Sequence, residues 1–178
     1  MIRLEPCSDN QAIDKGIDSL VKVFESKHTY YKTWCLEKKR DLFTGKRELY
    51  KIVNKRGIVV GYVMINYVTD KYAKLNAIYI DKKFQKRGYA RDTFLAVIEK
   101  LTVKGYDYLF IQTRHYNSTV LHMFESMNFD VIGEKFHEIE HMNNVVACYS
   151  LGECKRGRSE VCSIATRIYE GFIPNTNY

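Results

Sequence analysis

Apolar residues recur along this chain with two periods, and the places where one gives way to the other outline the elements. Ile2 to Leu4 reads as a short first strand. From Ala12 to Phe24, Ile13, Ile17, Leu20, Val21 and Phe24 fall on one face at helical spacing. Tyr30 to Phe43 predicts a second helix, aromatic at its start with Tyr30, Tyr31 and Trp34. Leu49–Val53 and Ile58–Val68 are strand-like runs flanking NKRG, a hairpin signal, and Ala73–Ile80 is a further strand. In Asp92–Lys104, Phe94, Val97, Ile98 and Leu101 sit at i, i+3, i+4 and i+7, and Gly105 suits the helix stop. Tyr106–Gln112 reads as a strand and Ser118–Met127 as a short helix, with Asn128 where a left-handed residue is wanted. Lys135–His141 and Val145–Leu151 predict a last hairpin around Asn143-Asn144. The order β-α-α-β-β-β-α-β-α-β-β describes a mixed α/β domain with a mainly antiparallel front and one parallel crossover.

Composition narrows the class. A chain of 178 residues, 46% hydrophobic and 28% charged, with two prolines and ten glycines, is an ordinary globular chain and not a disordered one. No apolar run approaches the roughly 20 residues of a membrane span, and MIRLEPCSDN has no apolar signal-peptide core. Cys7, Cys35, Cys148, Cys154 and Cys162 are odd in number and irregular in spacing, which points to reduced thiols in a cytoplasm. The net charge of +7 is spread along the chain, so it permits an anionic partner without requiring a nucleic acid.

One stretch concentrates charge. KKFQKRGYAR, residues 82–91, carries five basic residues and places Gly88 and Ala90 two apart just before an amphipathic helix. The first N–H groups of a helix have no internal partners, and the dipole adds about half a positive charge there. Small residues at 88 and 90 let an anion approach the backbone, and Lys86, Arg87 and Arg91 add mobile charge, so a diphosphate fits. A solvated basic turn is the plain alternative. A grip on nucleic-acid phosphates is a third, though no aromatic platform accompanies Phe84 and Tyr89. The stretch lacks both the P-loop and the Rossmann glycine patterns.

AIYIDKKFQKRGYAR followed by DTFLAVIEKL resembles the central motif of the GCN5-related N-acetyltransferases (GNAT): a strand, then Gln/Arg-x-x-Gly-x-Gly/Ala, then a helix. Gln85, Gly88 and Ala90 occupy those places. NSTVLHMFESMNF resembles the family's second signature, through Asn117, Phe124 and Asn128-Phe129. The resemblance covers roughly residues 2–151. It implies the acyl-CoA N-acyltransferase fold, a mixed, mostly antiparallel twisted sheet flanked by helices. Residues 1–152 would form the acetyltransferase domain. The family binds acetyl-CoA as acetyl donor. By resemblance, backbone groups of Ile78, Tyr79 and Ile80 hold the pantetheine arm, and the amides of Lys86, Arg87, Gly88, Tyr89, Ala90 and Arg91 hold the pyrophosphate. Gln85 belongs to the same motif, and Asn117 and Phe124 face the cofactor.

The sequence departs from the family at two places. Many relatives carry a Tyr where Phe124 stands, and its hydroxyl can protonate the departing thiolate. His122 lies about 200° around the helix from Phe124 and should point away. Tyr116 is a sterically feasible donor, although a loop aromatic capping the core is the simpler reading. The usual carboxylate base is also missing: Lys74, Asn76 and Gln112 stand where a Glu is expected, and Glu138 or Glu140 would have to act through water. His137 and His141 on one strand would be about 13 Å apart, too far for one ion, so no metal is expected. Tyr30, Tyr31 and Trp34 could line an acceptor groove or pack in the core.

The expected activity is transfer of an acetyl group from acetyl-CoA to a primary amine of a small molecule or protein, by direct attack. The alternatives are a CoA- or partner-binding module with weakened chemistry, and acetylation of an RNA-linked amine. Residues 153–178 run past the family's final strand. Ser159 can cap a helix in which Val161, Ile164, Ala165 and Ile168 follow at i, i+3, i+4 and i+7, with Gly171 as its stop. Such a short helix must pack, either on its own domain or on a second subunit as a homodimer.

Overall fold

The computed structural model describes residues 1–24, 31–137, 142–151 and 157–174. Strands β2 (Arg47–Asn54) and β3 (Val59–Tyr67) pair antiparallel around the NKRG turn expected from the sequence. Asn54 makes that turn: its side-chain oxygen accepts from the N–H groups of Arg56 at 2.9 Å and Ile58 at 3.1 Å. Strand β1 (Ile2–Pro6) pairs antiparallel with the other side of β2, and β4 (Tyr72–Ile80) lies beside β3.

The chain divides into two compact units, Met1–Tyr67 with Leu75–Lys100, and Val68–Lys74 with Leu101–Tyr178. In the first, helices α1 (Asn10–Phe24) and α2 (Tyr31–Phe43) bury Ile13, Ile17, Leu20 and Cys35 against Leu49, Tyr62, Met64 and Ala77. Helix α1 starts two residues earlier than its apolar pattern because Asp9 caps it, accepting from the Ala12 N–H at 2.8 Å. Tyr30 and the side chains of Tyr31 and Trp34 lie outside the described residues. Helix α3 (Tyr89–Val103) buries Phe94 and Val97.

In the second unit the strand order is β5 (Tyr108–Arg114), β7 (Met142–Ser150), β6 (Asp130–His137) and β8 (Phe172–Pro174), each antiparallel to its neighbour. Helix α4 (Ser118–Ser126) ends where expected, with Asn128 at φ 59° and the Phe129 N–H bonded to the Phe124 carbonyl at 3.0 Å. Helix α5 (Arg158–Ile168) buries Val161, Ile164 and Ala165 with Tyr108, Phe110, Ile132, Val146, Cys148, Tyr169 and Phe172. The stripe read from 159–171 is therefore packed within this unit.

Three local expectations are corrected. Asn143 and Asn144 do not form a turn: both are strand residues of β7, opposite Phe136 and Lys135 of β6, and Asn144 also faces Arg114 of β5. Pairing with β6, and with β5 as well at Asn144, outweighs the turn preference of two asparagines; residues 138–141, with Glu138, Glu140 and His141, lie outside the described residues. Ser159 is not the cap of α5. Gly157 holds that position with no side-chain hydrogen bond, and Ser159 sits within the first turn. Strand β5 is displaced two residues toward the C-terminus, because α3 continues into a turn closed at Gly105 and the ladder with β7 runs to Arg114. The short strand β8 lacks the alternating run by which a strand is recognised.

Candidate functional site

In the first unit, strand β4 feeds the basic turn. Val60 and Asp81 close β3 on the end of β4, the Asp81 N–H donating to the Val60 carbonyl at 2.9 Å. A Cβ at Gly61 would lie 2.0 Å from the Tyr79 carbonyl oxygen and 3.0 Å from the Ile80 Cα, so the end of β4 presses on β3 at a place only glycine allows. A single 3-10 turn, Lys82–Phe84, follows, its N–H at Lys83 held by the Asp81 carboxylate at 3.2 Å. Gln85 then folds back, and its side-chain amide donates to the Ile80 carbonyl at 2.8 Å. The family-motif glutamine thus latches the turn to the strand.

The backbone of the turn is unusual. Lys86 and Gly88 both adopt left-handed φ, 59° and 80°, on either side of Arg87. Left-handed residues alternating with ordinary ones bring successive N–H groups round to one concave side, a nest suited to anions. Helix α3 opens directly after it, three residues earlier than its apolar pattern. The Asp92 N–H is bonded to the Gly88 carbonyl at 3.0 Å, so the N–H groups of Tyr89, Ala90 and Arg91 stand ahead of the helical ladder. A Cβ at Gly88 would meet no atom within 4 Å, so the space over the turn is open. The Phe84 ring supports the charged chains: it stands edge-on to Tyr89 at 6.4 Å, with Lys83 Nζ 5.1 Å and Arg87 Cζ 6.0 Å from its centre. The turn therefore collects backbone donors, a helix terminus and exposed cations in ten residues of one unit.

The second signature lies in the second unit. Asn117 is the N-cap residue of α4, but its side chain does not cap; its amide reaches the Thr113 hydroxyl at 3.4 Å. Phe124 is 1% exposed and stacks on Phe129 with ring centres 5.2 Å apart, and Phe129 meets Tyr149 at 5.0 Å. Position 124 is thus closed within an aromatic core. His122 is exposed near Glu125, on the opposite side of α4 as its spacing required. Tyr116 is 60% exposed, edge-on to His115 at 5.4 Å with Arg114 Cζ 5.9 Å from its ring. Of the residues standing where a carboxylate was expected, Lys74 holds its ammonium 4.0 Å from the centre of the Tyr169 ring, while Asn76 and Gln112 each bury a side-chain oxygen that has no hydrogen-bond partner among the described residues.

The sequence model of the acetyltransferase (GNAT) family matches residues 17–129. The chain is a member of the GNAT acetyltransferase family. The fold agrees. It superposes on a GNAT family acetyltransferase from Elizabethkingia anophelis with acetyl-CoA bound, at TM-score 0.66 and 17% identity over 84% of this chain and 97% of that one. An aminoglycoside 6'-N-acetyltransferase complexed with coenzyme A gives 0.66 and 9% identity over 88% and 99%. The spermidine/spermine N-acetyltransferase of Vibrio cholerae, in complex with manganese ions, gives 0.65 and 11% over 84% and 92%. At these identities the likeness establishes the fold alone. No curated protein matches the sequence.

In this GNAT chain the glycine at 88 and the small residue at 90 were legible as a motif. The left-handed Lys86 was not, because lysine has no preference for that conformation. Gly61 carries a sequence signal of its own, since a glycine inside a strand run marks close backbone approach. No helix among the described residues is long and apolar enough to cross a membrane.

Proposed function

We propose that this GNAT protein transfers the acetyl group of acetyl-CoA to a primary amine by direct attack, with the 86–91 turn as the seat of the donor's pyrophosphate. The observation that carries the reading is the nest at Lys86–Gly88 opening onto the N-terminus of α3. Its N–H groups, with Lys86, Arg87 and Arg91 beside them, match a diphosphate in charge and in donor number. Backbone groups of Ile78, Tyr79 and Ile80 are the proposed contacts of the pantetheine arm. Gln85 keeps the strand end and the turn in fixed relation through its bond to Ile80.

In the reaction the amine nitrogen forms a bond to the thioester carbonyl carbon, the carbon–sulfur bond breaks, and the proton lost by nitrogen balances the thiolate released. Holding the two reactants together can contribute about 7–11 kcal/mol, whereas a general acid adds only about 10²–10⁴-fold. A chain with Phe124 in place of a tyrosine can therefore still turn over, with Tyr116 or water supplying the proton. The weakened-module reading draws on the enclosure of Phe124 in its aromatic core.

Release of free thiol from acetyl-CoA across a panel of amines separates the two readings: any acceptor-dependent release supports the enzyme, and none across the panel supports the module. Gly88→Glu tests the cradle. It places a side chain and a negative charge in the open space over the turn, and like charges about 6 Å apart at an effective dielectric near 40 repel by about 1.4 kcal/mol, tenfold in affinity, before any steric loss. Unchanged CoA affinity by calorimetry in a folded Gly88→Glu protein would overturn the pyrophosphate assignment.

A further inference from the structure

In the first unit the fold brings a second basic turn beside the first. The NKRG tip of the β2–β3 hairpin is closed by the Asn54 N–H on the Ile58 carbonyl at 3.0 Å and carries Lys55 and Arg56. Strand β3 starts directly after it. The Val60 carbonyl of β3 takes the Asp81 N–H at 2.9 Å, where β4 runs out into Lys82 and Lys83. The tip therefore stands about three residues, roughly 10 Å, past the point at which the 82–91 turn leaves the sheet. Two turns far apart in sequence share one end of the unit.

Residues 54–58 and 81–92 carry seven cations against two carboxylates, and all seven cations are exposed. Asp81 faces Lys83 at 3.9 Å, and Asp92 lies 2.7 Å from the nitrogen of Met1. Lys55, Arg56 and Lys82 have no ion pair among the described residues. Lys86, Arg87 and Arg91 flank the nest assigned above to the donor's diphosphate, so the tip and Lys82-Lys83 form a cationic surface beyond it. Like charges gathered this closely repel one another, and a partner with several anionic groups relieves that repulsion. The rings at this end narrow the class of partner. Phe84 and Tyr89 are both half-exposed and stand edge-on at 6.4 Å, between the tip and the nest in chain order of the turn. Cations that track a backbone, with aromatic rings among them on which bases can stack, are the features that hold single-stranded nucleic acid. An acidic protein surface would meet the charges but make no use of the rings.

We propose that this end of the first unit is a docking surface for single-stranded nucleic acid. Lys55, Arg56, Lys82 and Lys83 take its phosphates, and Phe84 and Tyr89 take a base. The surface is separate from the 86–91 nest, so nucleic acid and CoA bind together.

The test is fluorescence anisotropy of the full chain with short labelled RNA and DNA single strands, against polyglutamate of equal charge. Four phosphate contacts give a salt slope of about −2.8, so affinity should fall roughly 50-fold between 50 and 200 mM salt. The double variant Lys55→Gln with Arg56→Gln removes two contacts and should bring the slope to about −1.4, with CoA affinity by calorimetry unchanged. Phe84→Leu, in a protein whose melt shows it folded, should weaken the oligonucleotides at every salt concentration without changing the slope. The RNA and DNA arms identify which strand is preferred. No binding at 50 mM salt, or a slope unmoved by the double variant, overturns the surface. Polyglutamate bound as tightly as the oligonucleotides overturns the nucleic-acid assignment in favour of an acidic protein. Displacement of the oligonucleotide by saturating CoA, or a loss of CoA affinity in the double variant, assigns these residues to the donor's own phosphates and overturns a separate surface. The oligonucleotide and polyglutamate measurements need no CoA, so a failure of CoA binding would overturn the donor reading alone.

Discussion

Tyr169 is 1% exposed at the end of α5, and its hydroxyl has no hydrogen-bond partner among the described residues. Tyr169→Phe removes that buried oxygen and keeps the ring, including its contact with the Lys74 ammonium at 4.0 Å. An unsatisfied buried polar group costs about 1–3 kcal/mol, and the small void left by one oxygen returns a few tenths at ~24 cal/mol per Å³. The variant should therefore be more stable by about 1–2 kcal/mol. For a chain of this size that raises Tm by roughly 2–8 °C. A second signature comes from alkali. Burial raises the Tyr169 pKa well above its ordinary value, followed by the influence of Cys148. A group whose folded pKa is raised contributes stability that is fully present below its unfolded pKa, about 10, and is lost as pH rises beyond it. The parent should lose up to about 1.4 kcal/mol per pH unit above pH 10 from this tyrosine, a component absent from Tyr169→Phe. Urea melts at pH 7 and at intervals from pH 9.5 to 11.5 read both effects. A variant less stable than the parent at pH 7 would refute the argument and show that the hydroxyl is bonded, and an unchanged alkaline slope would refute its burial.

Gly61→Ala should cost at least about 1–3 kcal/mol, because its Cβ would start 2.0 Å from a backbone oxygen that cannot swing aside; it should also weaken CoA binding by shifting the end of β4, seen by thermal melts and calorimetry. Asp41→Asn should lose about 1–3 kcal/mol by removing the carboxylate that Arg47 Nε bonds at 2.8 Å, leaving a largely buried guanidinium. That bond holds the Asp41 carboxyl below its usual value. Its stabilisation is therefore present above about pH 4 and lost as pH falls through the folded value, so Asp41→Asn should lack that part of the acid loss in melts from pH 6 to 2.5. Phe124→Tyr should cost about 1–3 kcal/mol by forcing a hydroxyl into the Phe124–Phe129 stack; an unchanged melting temperature with faster thiol release would instead show the hydroxyl reaching the reaction.

The sequence by itself determined the order of elements up to β7, the NKRG turn, the left-handed Asn128 and the apolar stripe of α5, since each depends on residues close together in the chain. It also marked the turn, because a Gly-x-Ala step before an amphipathic helix is a local pattern. Tertiary structure decided what depends on partners distant in sequence. Asn143 and Asn144 are strand residues because β6 pairs with both and β5 pairs with Asn144 as well. β8 exists because three residues after α5 find the free edge of β6. The same holds for Phe124, whose helical position was legible but whose enclosure by Phe129 required the return of the chain after α4. The polar row of Arg114, Asn144 and Lys135 is the clearest case. Its members come from three strands, and only the register of those strands, set by burying one face under α5, puts them side by side.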